Sequence, residues 1–137
     1  MGLVAFLAAL FAQADPPKPS YQIVCHPGNA VTTVERQFLA DAFLKKVRAW
    51  PGGDVIKPVD LLASSPVRRL FSETIVRRPV DAILNFWQQC IFSGHDVPPP
   101  ELDTDDEVIS FVLRSRGAIG YVSGTANLRG ARILTVK

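Results

Sequence analysis

Two serines and an arginine stand together where a polar loop opens a helix. Ser64 and Ser65 are residue types that cap helix N-termini, and Pro66 suits the first helical position because no backbone donor is lost there. The unpaired N–H groups of a helix start, together with the positive end of the helix dipole, can hold an anion. Ser64, Ser65 and Arg68 are therefore candidate ligands of a small oxyanion.

Arg68 has two interpretations at the sequence level. A cation in the first turn of a helix opposes the dipole, at a cost of a few tenths to about 1 kcal/mol, and a bound anion would remove that conflict. In the alternative, the side chain turns into solvent or pairs with an acid such as Asp60. Thr32 and Thr33 are weaker candidates for the same anion, because they are expected to cap the start of an earlier helix.

Four residues of metal-binding type invite a zinc hypothesis: Cys25, His26, Cys90 and His95. Zinc pairs usually have two to four residues between ligands, and strand neighbours such as Cys25 and His26 point to opposite faces. The sequence therefore predicts no metal site, and nothing in it indicates a cofactor. The two cysteines are compatible with a disulfide in an exported chain and equally with two buried thiols.

A catalytic interpretation would take Ser64 or Ser65 as nucleophile and His26 or His95 as base. The Gly-x-Ser-x-Gly turn that exposes a nucleophilic serine is missing around these serines, and serines at helix starts are usually caps. We therefore do not expect an enzyme.

Alternating strands and helices must position these residues. A strand at Tyr21–Cys25 ends in Pro-Gly-Asn turn chemistry, and a capping box of Thr32 with Glu35 predicts the first helix. The second helix starts at Pro66, the third carries an apolar stripe that ends before Gly94, and a second capping box, Thr104 with Glu107, opens the fourth. Further strands are predicted over residues 55–59, 118–122 and 132–136. This order indicates an α/β fold with a mixed, mostly parallel sheet flanked by helices.

Three segments divide the 137 residues. Residues 1–14 match a secretory signal peptide, with an apolar run ending in Ala12-Gln13-Ala14 and a predicted cut after Ala14. Residues 15–20 are a proline-rich, flexible lead-in, and residues 21–137 suffice for a single domain. The apolar run is shorter than the ~20 residues that span a bilayer, so we expect a periplasmic or secreted protein without a stable membrane span after cleavage.

Charge argues against a nucleic-acid partner. The net charge of +2 comes from 15 basic and 13 acidic residues spread along the chain, with no basic cluster longer than a pair. Nucleic-acid binders concentrate Lys and Arg on one face and interleave aromatic residues.

Several segments resemble one lobe of the phosphate ABC transporter substrate-binding family. The resemblance covers residues 37–76, 86–94 and 105–123, and its most specific part is Gly-Ala-Ile-Gly-Tyr at residues 117–121. The Ser/Thr/Gly loop that opens a helix in that family matches residues 64–71. The resemblance implies a single lobe of a type II periplasmic-binding-protein-like fold and phosphate as the ligand.

The match departs from the family pattern at the ligand loop. Family members clamp phosphate between two lobes with Ser-Gly-Thr preceded by Arg, whereas this chain has Ser65, Pro66 and Val67 preceded by Leu61. Only Ser65 carries over. We therefore expect an exported solute-binding-like domain that binds phosphate or another small oxyanion weakly. The alternative is a structural or interaction module of the cell envelope, with an envelope protein or a second copy as partner.

Overall fold

The computed structural model describes residues 2–5 and 18–137. The predicted cut after Ala14 and most of the predicted signal peptide and lead-in lie outside these residues. In the described part of the chain, no helix combines the length and apolar character needed to cross a bilayer.

A four-stranded sheet forms the centre of the fold. Its strands are β1 (Tyr21–Cys25), β3 (Lys57–Pro58), β6 (Ala118–Ser123) and β7 (Arg132–Ile133), in the spatial order β3-β6-β1-β7. The long pairing of β1 with β6 is antiparallel, as is that of β1 with β7, while β3 runs parallel to β6. β6 is buried over most of its length, as its wholly apolar sequence predicts.

Two further strand pairs extend this arrangement. β2 (Thr33–Val34) pairs in parallel with β8 (Thr135–Val136), and β4 (Asp60–Leu61) pairs in parallel with β5 (Glu101–Leu102). Three of the five pairings among the described residues are therefore parallel. The predicted mixed, mostly parallel α/β class is confirmed.

Residues 2–5 and 18–137 contain four α-helices that flank the strands. They are α1 (Arg36–Phe43), α2 (Pro66–Phe71), α3 (Val80–Phe92) and α4 (Asp105–Arg114), and α2 continues directly into a π-helix at Ser72–Val76. α2 and α4 both pack against the sheet, and α1 packs on the π-helix.

The local start signals of two helices act as predicted. The Ser65 hydroxyl caps α2 by accepting from the Arg68 backbone N–H at 3.3 Å. Thr104 and Glu107 form the expected capping box of α4, in which the Glu107 backbone N–H donates to the Thr104 hydroxyl at 3.2 Å.

The predicted capping box of Thr32 with Glu35 is wrong. Thr33 lies in β2, and α1 begins at Arg36 with Glu35 at the N-cap and no side-chain cap. The Thr32 carbonyl accepts instead from the Thr135 backbone N–H at 3.0 Å. A run of β-branched residues here favours a strand, and a partner strand from the C-terminal end of the chain satisfies its backbone.

Two predicted strands are each divided in two. The segment predicted as one strand over residues 55–59 becomes β3, which pairs with β6, and β4, which follows it and pairs with β5. The C-terminal strand becomes β7 and β8, which pair with β1 and β2. In both places the first two residues pair with one strand and the last two pair with another. The spacing of apolar residues in the sequence does not indicate this change of partner strand.

An aromatic stack fills the core beneath α2. The Phe71 and Tyr121 rings are stacked with centroids 3.9 Å apart, and Phe43 meets Phe71 edge-on at 4.8 Å. Tyr121 reaches this position from β6, with its ring in the core and its hydroxyl directed toward β4. The stack therefore fixes α2 against the strands that carry the polar residues described next.

Candidate functional site

Arg68 points into the protein. Its side chain is 3% exposed, and its Nη1 donates to the Leu61 carbonyl at 2.9 Å. The same nitrogen lies 3.2 Å from Glu101 Oε1, and Nη2 lies 3.9 Å from Asp60 Oδ2. The structure therefore contains the ion pair with Asp60 that the sequence offered as the alternative. We call Asp60, Arg68, Glu101 and Tyr121 the Arg68 cluster.

Asp60 is buried and hydrogen-bonded to Tyr121 in this cluster. The Tyr121 hydroxyl donates to Asp60 Oδ1 at 2.9 Å and accepts from the Leu61 N–H at 3.2 Å. Burial raises the pKa of Asp60 to about 6, although the Arg68 charge and the Tyr121 hydrogen bond act in the opposite direction. Burial is also the main cause that raises the pKa of Tyr121, followed by the Asp60 charge. The cluster pairs one arginine with two carboxyl groups, so it is net negative when both are ionised.

The loop before α2 has few backbone donors left for a ligand. The Ser65 N–H donates to the Leu62 carbonyl at 2.9 Å, and the Arg69 N–H donates to the Ser65 carbonyl at 3.1 Å. Arg68 donates its N–H to the Ser65 hydroxyl. Among the described residues, the Val67 N–H in this first turn has no protein acceptor, and neither do the Ala63 and Ser64 N–H groups in the loop before it.

Side chains at the outer face of this turn remain accessible. Ser64 is exposed, and so is Arg69, which follows the buried Arg68 in α2. The turn therefore offers unused backbone donors, one exposed hydroxyl and one exposed guanidinium. Arg69 is therefore the accessible cation of this turn, whereas the sequence interpretation had chosen Arg68 as the ligand.

Thr32 and Thr33 lie elsewhere in the fold. Thr33 is in β2, whose partner β8 follows the edge strand β7, whereas the Ser64–Ser65 turn follows β3 and β4 at the other edge. β6 and β1 separate the two edges, so three strand spacings of ~4.8 Å put them roughly 14 Å apart. The structure does not bring the two threonines to the serines.

The cysteines and histidines form no common site. Cys25 is buried on β1, Cys90 is half-buried on α3, and both are free thiols in place of the disulfide considered from the sequence. Burial raises the pKa of the Cys25 thiol. His26 and His95 make hydrogen bonds within their own loops, neither to Ser64 nor to Ser65. Within residues 2–5 and 18–137, no group of acidic, His and Cys side chains has the arrangement of a metal site.

The sequence did not predict a cleft that lies next to the Arg68 cluster. It lies between α3 and the segment 98–101, has a volume of about 230 Å³, and has Asp60, Arg68 and Glu101 at its floor. Its walls are mainly apolar, formed by Leu84, Trp87, Ile91 and Pro98 together with the polar Gln88. The sequence signal was an excess of apolar residues late in α3, more than one buried face of a helix can take, which leaves Ile91 53% exposed.

Solved structures share this fold. A protein from Clostridium perfringens described as a phosphate ABC transporter substrate-binding protein, with bound phosphate, matches with a TM-score of 0.67 at 20% identity. The match covers 86% of this chain and 45% of that one. An ABC-type phosphate transport receptor from Vibrio cholerae matches with a TM-score of 0.67 at 16% identity, over 86% and 46% of the two chains.

A third match, PstS from Borrelia burgdorferi, has a TM-score of 0.66 at 14% identity and covers 87% of this chain and 47% of that one. No family model matches the chain, and neither does any curated protein. The resemblance to phosphate-binding proteins is therefore confirmed at the level of the fold. The chain spans less than half the length of these matched proteins, whose names are those of transport proteins and not of enzymes.

Proposed function

We propose that this chain is a non-enzymatic solute-binding-type lobe that binds phosphate or another small oxyanion weakly at the start of α2. The observation that carries the proposal is the accessible set at that turn: the Ser64 hydroxyl, the free Val67 N–H and the exposed Arg69. The same fold holds phosphate in the Clostridium perfringens protein. Ser65 contributes by capping the turn.

We expect weak binding because the turn lacks a free buried cation and does not enclose the anion. Arg68 is held by Asp60 and Glu101, and the opposite side of the ligand is open to water. A one-sided site leaves the anion largely hydrated, so we expect a dissociation constant of about 0.1 mM or poorer. The backbone of Thr32 and Thr33 is engaged in pairing with β8.

Thermal unfolding in phosphate or sulfate tests this proposal. The melting temperature should rise only at millimolar anion, by mass action on the folded state, when compared with chloride at equal ionic strength. Arg69→Gln should remove most of that rise. Arg78→Gln, which removes an exposed arginine after the π-helix, should leave it unchanged and is the matched control. No anion-specific rise in the unaltered chain would reject oxyanion binding.

Interaction with a protein is the second candidate, favoured by apolar side chains exposed around the end of α3. Phe92 is 92% exposed, and Val97 is 60% exposed nearby in the chain. Isolated apolar residues are common on surfaces, but a group of them indicates a contact surface. The partner would be an envelope protein or a second copy of this chain. Sedimentation at rising concentration tests the second copy, because a dimer through this surface should dissociate in Phe92→Ser.

The proposed location is the periplasm or the exterior, after cleavage following Ala14. Mass spectrometry of the protein recovered from its own cells should find Asp15 at the N-terminus. An intact Met1 in the cytosolic fraction would contradict export.

A further inference from the structure

At the floor of the cleft between α3 and the segment 98–101 lies the buried Arg68 side chain, which has more N–H donors than it uses. A guanidinium carries five N–H donors. Among the described residues, Arg68 makes one side-chain hydrogen bond, from Nη1 to the Leu61 carbonyl. Its Nη2 stands 3.9 Å from Asp60, beyond hydrogen-bond reach, and the residue lines the cleft. A buried arginine that faces an apolar-walled cleft in this way is suited to an incoming carboxylate.

Glu101 is the group that such a ligand would replace. It lies at the cleft floor 3.2 Å from Nη1, and its side chain is 36% exposed, whereas Asp60 is 11% exposed. Glu101 can therefore turn into water while Asp60 stays in place. The exchange leaves the number of negative charges beside Arg68 unchanged, so the net negative charge of the cluster does not oppose it.

The walls determine what the rest of the ligand must be. Trp87 and Leu84 from α3 face Pro98 across a space of about 230 Å³, and a cavity of about 150 Å³ is enough to take benzene. The cleft thus has room for a single ring or a short alkyl group beyond the carboxylate. Inorganic phosphate has no apolar part to occupy these walls.

We propose that the cleft binds a small carboxylate bearing one aromatic ring or short alkyl group, whose carboxylate takes the place of Glu101 on Arg68. The apolar part lies against Trp87 and Leu84. This site is separate from the α2 turn, because the ligand reaches the Arg68 side chain and not the exposed Ser64 and Arg69. Its test is therefore independent of the phosphate experiment.

Calorimetric titration of the full chain with benzoate, and with acetate as the truncated probe, tests the proposal. Benzoate should saturate, and acetate should bind at least about tenfold more weakly, the factor that burial of one apolar side chain provides. Glu101→Gln should tighten benzoate by up to about fivefold, since a partly exposed ion pair no longer competes. Glu35→Gln alters an exposed glutamate without a side-chain cap and should change nothing.

A second pair of variants leaves every buried residue intact. Ile91→Asp puts a negative charge at the rim of the cleft and should weaken benzoate by at least tenfold, while Phe92→Asp changes the adjacent residue outside the cleft lining and should not. The inference is overturned by the absence of saturable benzoate binding, by equal binding of acetate, by a Glu101→Gln variant that binds no tighter than the unaltered chain, or by equal effects of the two aspartate variants.

Discussion

The pH dependence of the free energy of unfolding should show whether burial disfavours the ionised form of Asp60. The Asp60 side chain is 11% exposed, and its pKa rises from an ordinary value of 3.8 to about 6 because burial disfavours the ionised form. That increase corresponds to about 3 kcal/mol of free energy of unfolding. A buried carboxylate stabilised chiefly by Arg68 would instead have a lowered pKa and the opposite pH dependence.

The sign of this pH dependence follows from the number of protons that Asp60 binds in the folded and unfolded chains. Between about pH 4 and about pH 6 the folded chain binds more protons at Asp60 than the unfolded chain does, so the contribution of Asp60 to stability is fully present below that window. It is lost as the pH rises through the folded pKa. Asp60→Asn cannot ionise, and its amide oxygen can still accept from the Tyr121 hydroxyl. The stability of the unaltered chain relative to this variant should therefore fall by about 2.4 kcal/mol from pH 4 to pH 7, because about 0.5 kcal/mol of the full change lies below pH 4.

Urea unfolding of both proteins across this pH range measures the difference. Any constant effect of the substitution, including a weaker contact with Arg68, cancels because only the change with pH is compared. Tyr121→Phe removes a hydrogen bond that lowers the Asp60 pKa, so in that background the fall should move to higher pH. A relative stability that stays flat, or that rises with pH, would refute burial as the dominant cause.

Other predictions concern the backbone and the caps. Gly117→Ala should destabilise the chain by about 1–3 kcal/mol or more in urea unfolding, because the new Cβ would lie 1.8 Å from the Val55 carbonyl oxygen. In Gly52→Ala, the control, the new Cβ would meet nothing within 4 Å, so the stability should be nearly unchanged. Thr104→Ala should cost about 1 kcal/mol through loss of a cap, and Thr32→Ala clearly less, since Thr32 caps no helix; equal costs would contradict this assignment. Both cysteines should react with a thiol reagent in unreduced, denatured protein, and fewer than two labels would contradict the free thiols.

Local signals predicted much of the fold. Ser65 before Pro66, and Thr104 three residues before Glu107, place helix starts correctly because the capping atoms and the backbone groups they satisfy are within one turn. The apolar run of β6 likewise predicts a strand buried on both faces. Such assignments depend on interactions between residues close in sequence, or on burial that composition alone reports.

The first helix shows where local signals fail. Thr32 and Glu35 have the spacing of a capping box, yet Thr33 and Val34 pair with β8 from the far end of the chain. The free energy of that pairing depends on a partner 102 residues away, Thr135 for Thr33, which no window of sequence around Thr33 contains. The same competition explains why β7 and β8 are two short strands with different partners.

The sequence also could not predict which way the Arg68 side chain points, because that direction too depends on contacts with residues far away in the chain. Two adjacent arginines in one helical turn look equivalent in sequence, and the sequence interpretation placed Arg68 beside an anion or an acid. The rotation of α2 about its axis distinguishes them, and that rotation is fixed by Phe71, which must stack on Tyr121. With Phe71 in the core, Arg68, three residues earlier, faces inward toward Asp60, and Arg69 faces solvent. The aromatic stack thus divides the two cations between the surface turn and the cleft floor, so the two proposed sites can be tested through separate residues.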